Sequence, residues 1–286
     1  MKQIIVSFSG GKTSAFMTYK LIQQYGKENI TCIFANTGAE HPETLDFINK
    51  CDKRWGLNMI WVEAKVNHEG RGAGFSTKYY IVNYDNCSRD SEPYEQVIKK
   101  YGLANAKYLH CTREMKERPI TAWTKDNFKK DEYVLAIGIR ADEIDRVNLV
   151  EKKTRNLVYP LADNGYRRED VEQFWREQEF TLDLPSYLGN CVYCHKKTDR
   201  KLFTIAKETP KWFDFMTYAG SKYAKVGSTH EEGRKIYRKN RTAKQIIMEA
   251  HNTDFEPWAD DVEYMPELDL DFGGCGESCE VFSDNF

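Results

Sequence analysis

Two stretches of this chain hold residue types whose spacing could do chemistry. The first is Ser7-Phe8-Ser9-Gly10-Gly11-Lys12-Thr13-Ser14, where a β-prone run ends and a helical pattern begins. A strand that turns on glycine straight into a helix leaves backbone N–H groups at the helix N-terminus, and such groups form an anion site. Gly10 and Gly11 allow close approach of a ligand, Ser9 and Ser14 supply hydroxyls and Lys12 supplies a point charge, so phosphate is the natural guest. The Walker A pattern is excluded, because it requires a glycine where this chain has Val6. The second stretch is Cys191-Val192-Tyr193-Cys194, followed by His195, Lys196 and Lys197. Two thiols at this spacing can serve one metal centre, and the neighbouring cations favour thiolates. Iron–sulfur, zinc, a redox dithiol and plain core cysteines all remain open for this pair. Arg140 and Arg146 could clamp a planar anion through bidentate guanidinium bonds. The competing reading of their loop is a solvated face with ion pairs to Asp142, Glu143 and Asp145. His41 and His110 stay uncommitted between acid–base and structural roles.

The elements that must position these residues alternate along the chain. Apolar runs at Gln3–Phe8, Ile30–Asn36 and Asn58–Glu63 predict strands, and amphipathic segments at Thr13–Tyr25 and Pro42–Trp55 predict helices between them. This rhythm argues for an α/β fold, a doubly wound, mostly parallel sheet covered by helices on both faces, with ligands at the carboxyl ends of the strands. Residues 65–108, with Gly70, Gly72, Gly74 and many tyrosines, read as an inserted loop or lid whose aromatic and basic side chains could stack on nucleotides. The rhythm resumes with a strand at Tyr133–Ile139, the charged loop Arg140–Arg155, the run Leu157–Leu161 and a helix at Arg168–Gln178. Beyond Pro185 the composition shifts to cysteine, lysine and aromatics, with helical patterns at Asp199–Lys207 and Thr242–His251. The expected organisation is therefore a nucleotide-binding domain over 1–185 and a smaller helical, cysteine-containing region over 186–286 that ends in an acidic tail.

At 286 residues with 41% hydrophobic and 30% charged side chains, the chain can bury a full core. A formal charge of −2 gives no global attraction to polyanions, so any phosphate must be met locally. No run approaches the length of a membrane span and the chain opens directly on a strand-like segment, which predicts a cytoplasmic protein. The eight cysteines, in such a reducing compartment, point to metal or redox chemistry more than to a disulfide frame. Cys32 and Cys51, inside an apolar run and an amphipathic pattern, read as small buried hydrophobes.

The loop at Ser9–Ser14 resembles the signature of the PP-loop adenine-nucleotide alpha-hydrolases, and within them the chain is similar to the phosphoadenosine phosphosulfate reductase family. Four more stretches carry the likeness in the family's order. They are Asn36-Thr37-Gly38-Ala39-Glu40-His41-Pro42-Glu43-Thr44; Cys111 with Arg113, Lys116 and Pro119; Gly138-Ile139-Arg140 with Glu143 and Arg146; and Tyr159-Pro160-Leu161-Ala162-Asp163 followed by Glu169-Asp170-Val171. The likeness departs at Thr13, where the signature has aspartate, and the reductases' C-terminal nucleophile element is absent, Gly273–Cys279 being the nearest stretch. The resemblance implies a HUP-type fold that binds ATP or a related adenine nucleotide through Ser7, Ser9, Gly10, Gly11, Lys12, Thr13, Ser14, Asn36, Thr37, Gly38 and Gly138. It implies Lys12, Arg140 and Arg146 as catalytic groups and Mg²⁺ as a companion of the nucleotide. A [4Fe-4S] cluster, or alternatively Zn²⁺, would be held by Cys111, Cys191 and Cys194, with Cys275 or Cys279 of the tail, or an exchangeable non-protein group, as fourth ligand. The implied activity is sulfonucleotide reduction or ATP-dependent sulfur transfer. The acceptor is a sulfur compound or a nucleic acid, and a homo-oligomer is compatible. The alternative is a non-catalytic nucleotide-binding module with a structural zinc.

Overall fold

The computed structural model describes residues 1–260 and 281–282. Six strands form one sheet: β1 (Gln3–Ser7), β2 (Ile30–Asn36), β3 (Ile60–Lys65), β4 (Lys78–Val82), β5 (Tyr133–Ala136) and β6 (Leu157–Val158). Their order is β4-β3-β2-β1-β5-β6, parallel throughout except for the antiparallel edge strand β4. From β1 the chain winds outward through β2 and β3, then returns to the other side of β1 at β5. The strand order reverses between β1 and β5, and a crevice opens outside the carboxyl ends of these two strands.

Helices α1 (Lys12–Tyr25), α2 (Pro42–Trp55) and α3 (Glu92–Tyr101) follow β1, β2 and β4. A π-helical turn at Thr112–Glu117 leads into α4 (Arg118–Asn127), where Pro119 occupies the first turn of the regular helix. Proline has no N–H to give to the preceding turn, and a widened turn accommodates that loss. Short helices α5 (Leu149–Thr154) and α6 (Pro160–Asp163) flank β6, and α7 (Arg168–Arg176) crosses back onto α1. The C-terminal part contributes α8 (Asp199–Glu208), α9 (Asp214–Tyr223) and α10 (Ala243–Asn252).

Alternate residues of the central strands feed opposite faces, as the two-residue strand period requires. Ile4, Val6, Cys32 and Phe34 pack under α1, α2 and α7 with Phe16, Phe47 and Trp175. Ile5, Ile33, Val62 and Leu135 pack under α4 with Ile120 and Trp123. Cys32 and Cys51 belong to the first of these clusters, and burial pushes the Cys32 thiol up to about 12, which leaves it inert. A third cluster unites Tyr94, Val97 and Ile98 of α3 with Leu202, Ile205, Phe213 and Ile246 of the C-terminal helices.

The segment expected as an inserted loop over 65–108 is therefore corrected: it supplies both β4 and α3. β4 escapes a pattern reading because it is an edge strand with Tyr80 and Ile81 exposed, so its apolar residues do not alternate in register with a core. The run Leu157–Leu161 is likewise shorter as a strand than its apolar content suggests, because Pro160 starts α6. No helix among the described residues is long and apolar enough to cross a membrane.

Candidate functional site

The loop after β1 takes its shape from glycine and from one buried hydroxyl. Gly10 lies at φ +89°, and a Cβ there would meet Thr44 Cγ2 at 2.9 Å and Ile48 Cδ1 at 3.1 Å. Both the dihedral and the packing against α2 therefore require glycine. Ser14 is fully buried; its Oγ accepts from Ser9 N at 3.2 Å and from Ser9 Oγ at 3.0 Å, and donates to Gly11 O at 3.0 Å. Ser14 thus staples the loop internally. Ser7, buried, closes β1 beneath it.

Gly11 is the N-cap of α1, with extended dihedrals and no side-chain capping bond, and the first turn carries no acidic residue. A Cβ on Gly11 would meet nothing closer than Ser9 Oγ at 3.9 Å. The open end of a fourteen-residue helix, with its positive dipole end, thus faces free space.

That space is a cavity of about 710 Å³. Gly10, Gly11, Lys12 and Thr13 with Thr44 of α2 form one wall, Arg140 a second, and α7 with the chain from Gln178 to Asn190 and Asp260 the rest. Four cationic side chains line it, Lys12, Arg140, Arg168 and Arg176, against two acidic ones, Glu172 and Asp260. Trp175, packed between Phe47, Phe174 and Phe180, donates its Nε1–H to Lys12 O at 2.9 Å and ties α7 to the loop.

Arg140 reaches this wall from the carboxyl end of β5, just past the buried Gly138. It is itself buried, and it grips Asp142 with Nε and Nη2 at 3.0–3.2 Å while Nη1 donates to Thr13 Oγ1 at 3.3 Å. Burial opposes the charge of Asp142, but the Arg140 guanidinium outweighs it and holds the carboxyl below its ordinary range. Glu143, also buried, stands 3.6 Å from Arg140 Nη1 and pairs with Arg146 Nη1. Arg146 is held on Glu143 and does not line the cavity, so the two expected arginines separate: Arg140 faces the site and Arg146 braces the carboxylate behind it.

The polar groups of the loop after β2 turn inward. Asn36 Nδ2 donates to Glu63 Oε1 at 2.6 Å and to Ser88 O at 2.8 Å. Thr37 donates its hydroxyl to Glu40 Oε1 at 2.7 Å and stands 3.3 Å from Cys191 Sγ. Gly38, at φ +73°, passes so close to Ser88 and Ser91 that a Cβ would lie 2.7 Å from Ser88 Oγ. Glu40 forms a β-bridge with Cys191, and Val192 N donates to Ala39 O at 3.0 Å. These residues anchor the cysteine turn to the nucleotide-side sheet and lie outside the cavity lining.

Burial, and then Glu40, push the Cys191 thiol well above its ordinary value; Lys116 and the Thr37 hydrogen bond act against them. The phenol of Tyr94 is pushed well above its ordinary value by burial, and further by Cys111, Tyr193, Cys191 and Cys194. Among the described residues, however, no group of three or more His, Cys, Asp or Glu side chains is arranged to hold a metal ion. Cys275 and Cys279 lie outside the described residues. As placed, Cys111, Cys191 and Cys194 do not by themselves make up such a group. The two carboxylates lining the cavity are each engaged, Glu172 by Arg168 at 2.6 Å and Asp260 by Ser186 N at 2.8 Å and Trp258 Nε1 at 2.9 Å, while Thr44 Oγ1 meets no hydrogen-bond partner among the described residues, so the lining presents Mg²⁺ with a neutral hydroxyl and no unengaged carboxylate.

Arg168, Trp175, Arg176 and Glu40 are absent from the sequence reading of the site. The spacing Arg168-Glu172-Arg176 opposite Val171 and Trp175 marks one polar and one apolar face on α7. That signal is visible in the sequence, but nothing there says that the polar face meets the loop.

A parallel α/β sheet with a glycine turn, an open helix N-terminus and basic side chains at its switch point defines a nucleotide-binding protein of the PP-loop class. Comparison with known families supports this architecture, since residues 3–182 match the phosphoadenosine phosphosulfate reductase domain. The chain belongs to that family. It is 29% identical over 282 residues to the uncharacterized nin region protein ORF290 of Escherichia phage lambda, covering 97% of this chain and 94% of the phage protein. Two uncharacterized proteins of Methanocaldococcus jannaschii are also similar. MJ0066 is 26% identical over 142 residues (50% of this chain, 24% of that protein), and MJ0973 is 34% identical over 99 residues (34% of this chain, 23% of that protein). The chain thus spans about a quarter of the length of these two.

Proposed function

We propose that this protein is an enzyme that holds ATP or a related adenylyl nucleotide in the cavity between the β1 loop and Arg140, and that it carries out adenylation or sulfur-transfer chemistry there. The observation that carries the reading is the open end of α1: an uncapped N-terminus, without an acid in its first turn, facing a cavity through a glycine that a side chain would fill. In this reading the first-turn N–H groups and Lys12 take the phosphate, and Arg140, fixed by Asp142, meets charge that develops at the reacting phosphorus or sulfur. Trp175 fixes the loop against α7, and the aromatic packing around it excludes water from that wall.

The cavity lining reaches Gly189 and Asn190, so it ends one residue before Cys191. A nucleotide seated on the loop would therefore extend toward the cysteine turn. For Cys111, Cys191 and Cys194 the proposed role is a thiolate centre, iron–sulfur or zinc. The Cys-x-x-Cys spacing of Cys191 and Cys194 supports it, whereas the absence of a metal-holding group among the described residues counts against it. Anaerobic purification with iron, sulfide and zinc analysis decides the point.

The activity test is direct. Purified protein is incubated with ATP and a sulfur donor, with and without polynucleotide, and separately with a sulfonucleotide and a dithiol reductant. Release of AMP and pyrophosphate, or of sulfite, supports the enzyme reading. Tight nucleotide binding with none of these products supports a binding module instead, a reading favoured by the carboxylates that already occupy Arg140 and Arg146.

A further inference from the structure

We propose that the loop end of this cavity takes its anionic ligand directly, without a divalent cation, and that Thr13 sets this preference. The inference rests on the nucleotide reading above and narrows it to metal-free nucleotides.

A magnesium ion at a nucleotide site needs hard oxygen ligands in near-octahedral geometry and is commonly held by one or two protein carboxylates together with the phosphates. At this end of the cavity Thr44 Oγ1 has no hydrogen-bond partner among the described residues, but it is a single neutral hydroxyl, and the other oxygens are committed elsewhere. Ser9 and Ser14 bond each other, and Ser14 bonds Gly11 O. Thr13 Oγ1 accepts from Arg140. The first turn of α1 carries no acid, and the nearest carboxylate on the β5 side, Asp142, is held by the Arg140 fork at 3.0–3.2 Å.

What the site offers instead is positive potential: the dipole end of α1, Lys12 and Arg140 converge on one patch. Asp142 and Glu143 already stand against Arg140, and Thr13 adds no third carboxylate: its neutral hydroxyl, 3.3 Å from Arg140 Nη1, orients the guanidinium without a further negative charge. An aspartate at this position would pair with Arg140, withdraw it from the ligand and place a negative charge beside the incoming phosphate. The same carboxylate would create the hard oxygen ligand that the wild-type site lacks. Threonine therefore selects an anion that is neutralised by protein groups over one that arrives with its own cation.

The test is isothermal titration of the full chain with AMP and, separately, with ATP, each in excess EDTA and in excess Mg²⁺, for the wild type and for Thr13→Asp. The expected result is that wild-type affinity for each nucleotide changes by less than about threefold between the two conditions, while T13D loses about tenfold or more in EDTA. Wild-type binding that collapses in EDTA and returns with Mg²⁺ overturns this inference and leaves the nucleotide reading standing. T13D binding as tightly as wild type in EDTA removes the role given to Thr13. Absence of binding under both conditions removes the nucleotide reading itself. The wild-type comparison is decisive even if T13D does not fold, which its circular dichroism and melting curve report.

Discussion

Gly10 and Gly11 are adjacent in the sequence, but the structure gives them opposite work, and alanine at each separates the two. At Gly10 a side chain must adopt φ +89°, which costs an L-residue about 1–2 kcal/mol. Its Cβ would also stand 2.9 Å from Thr44 Cγ2 and 3.1 Å from Ile48 Cδ1 on α2, a crowding that adds about 1–3 kcal/mol. Gly10→Ala is thus expected to destabilise the fold by about 2–5 kcal/mol, a fall of roughly 4–20 °C in Tm for a chain of this size. At Gly11 the dihedrals, φ −97° and ψ 165°, suit any residue, and the nearest atom to a Cβ is 3.9 Å away. Gly11→Ala changes only an N-cap and is expected to stay within about 1 kcal/mol of wild type. Its methyl group does, however, enter the space where a phosphate would approach the helix end. Nucleotide affinity should fall by about tenfold, the equivalent of one lost charge-assisted hydrogen bond. Differential scanning calorimetry and nucleotide titration on both variants read the two effects. A Gly11→Ala protein with normal stability and undiminished nucleotide affinity would refute the assignment of the helix end as the phosphate site.

Trp175→Phe keeps most of the aromatic packing and deletes the hydrogen bond to Lys12 O, so nucleotide affinity should drop about threefold to tenfold with a stability loss of about 1 kcal/mol; unchanged affinity would limit Trp175 to the core. Arg140→Lys keeps the charge but loses the fork on Asp142, and turnover and Tm should fall together because the guanidinium is buried and packs between Asp142 and Thr13; a fall in Tm alone would leave the residue a structural role only. His195 is buried beside Lys196 and Arg238, and Nε2 meets no hydrogen-bond partner among the described residues; burial first, and then those cations, lower it from 6.5 to about 3. The unfolded chain therefore takes up a proton below about pH 6.5 that the folded chain refuses until about pH 3, so stability declines as pH falls through this window. The loss should reach about 2 kcal/mol by pH 5, and equilibrium unfolding of His195→Gln should show a shallower slope. An unaltered slope would place the acid sensitivity elsewhere.

What was legible in the sequence is what local pattern determines. β2 and α2 occur with the expected bounds, Ile30–Asn36 and Pro42–Trp55, because a continuous apolar run and an amphipathic period are each closed by clear stops, Pro42 at the helix start and Gly56 at its end. The glycine turn from β1 into α1 could be read for the same reason, since strand, glycines and helix start are contiguous. The inward turn of Asn36 and Thr37 was not, because their partners, Glu63 and Cys191, come from distant parts of the chain. α7 was expected as a helix, but its arginines were not expected at the site, since the face it presents to α1 depends on how two helices cross. Thr13 was visible as a departure from the family signature; its bond to Arg140 required the fold.

The bonds that hold the site together join residues far apart along the chain. Thr13 meets Arg140 across 127 positions, Thr37 meets Cys191 across 154, and Lys12 meets Trp175 across 163. During synthesis the loop after β1 leaves the ribosome before α7 and stays without Trp175 until α7 has followed, and the loop after β2 stays without its cysteine turn until later still. Domains tend to fold from the N-terminus as they emerge, and contacts of high sequence separation form slowly. The early strands and helices can therefore condense while the cavity is still open on two sides. A nascent chain stalled before residue 175 would carry a nearly complete core on one sheet face and an incompetent binding site.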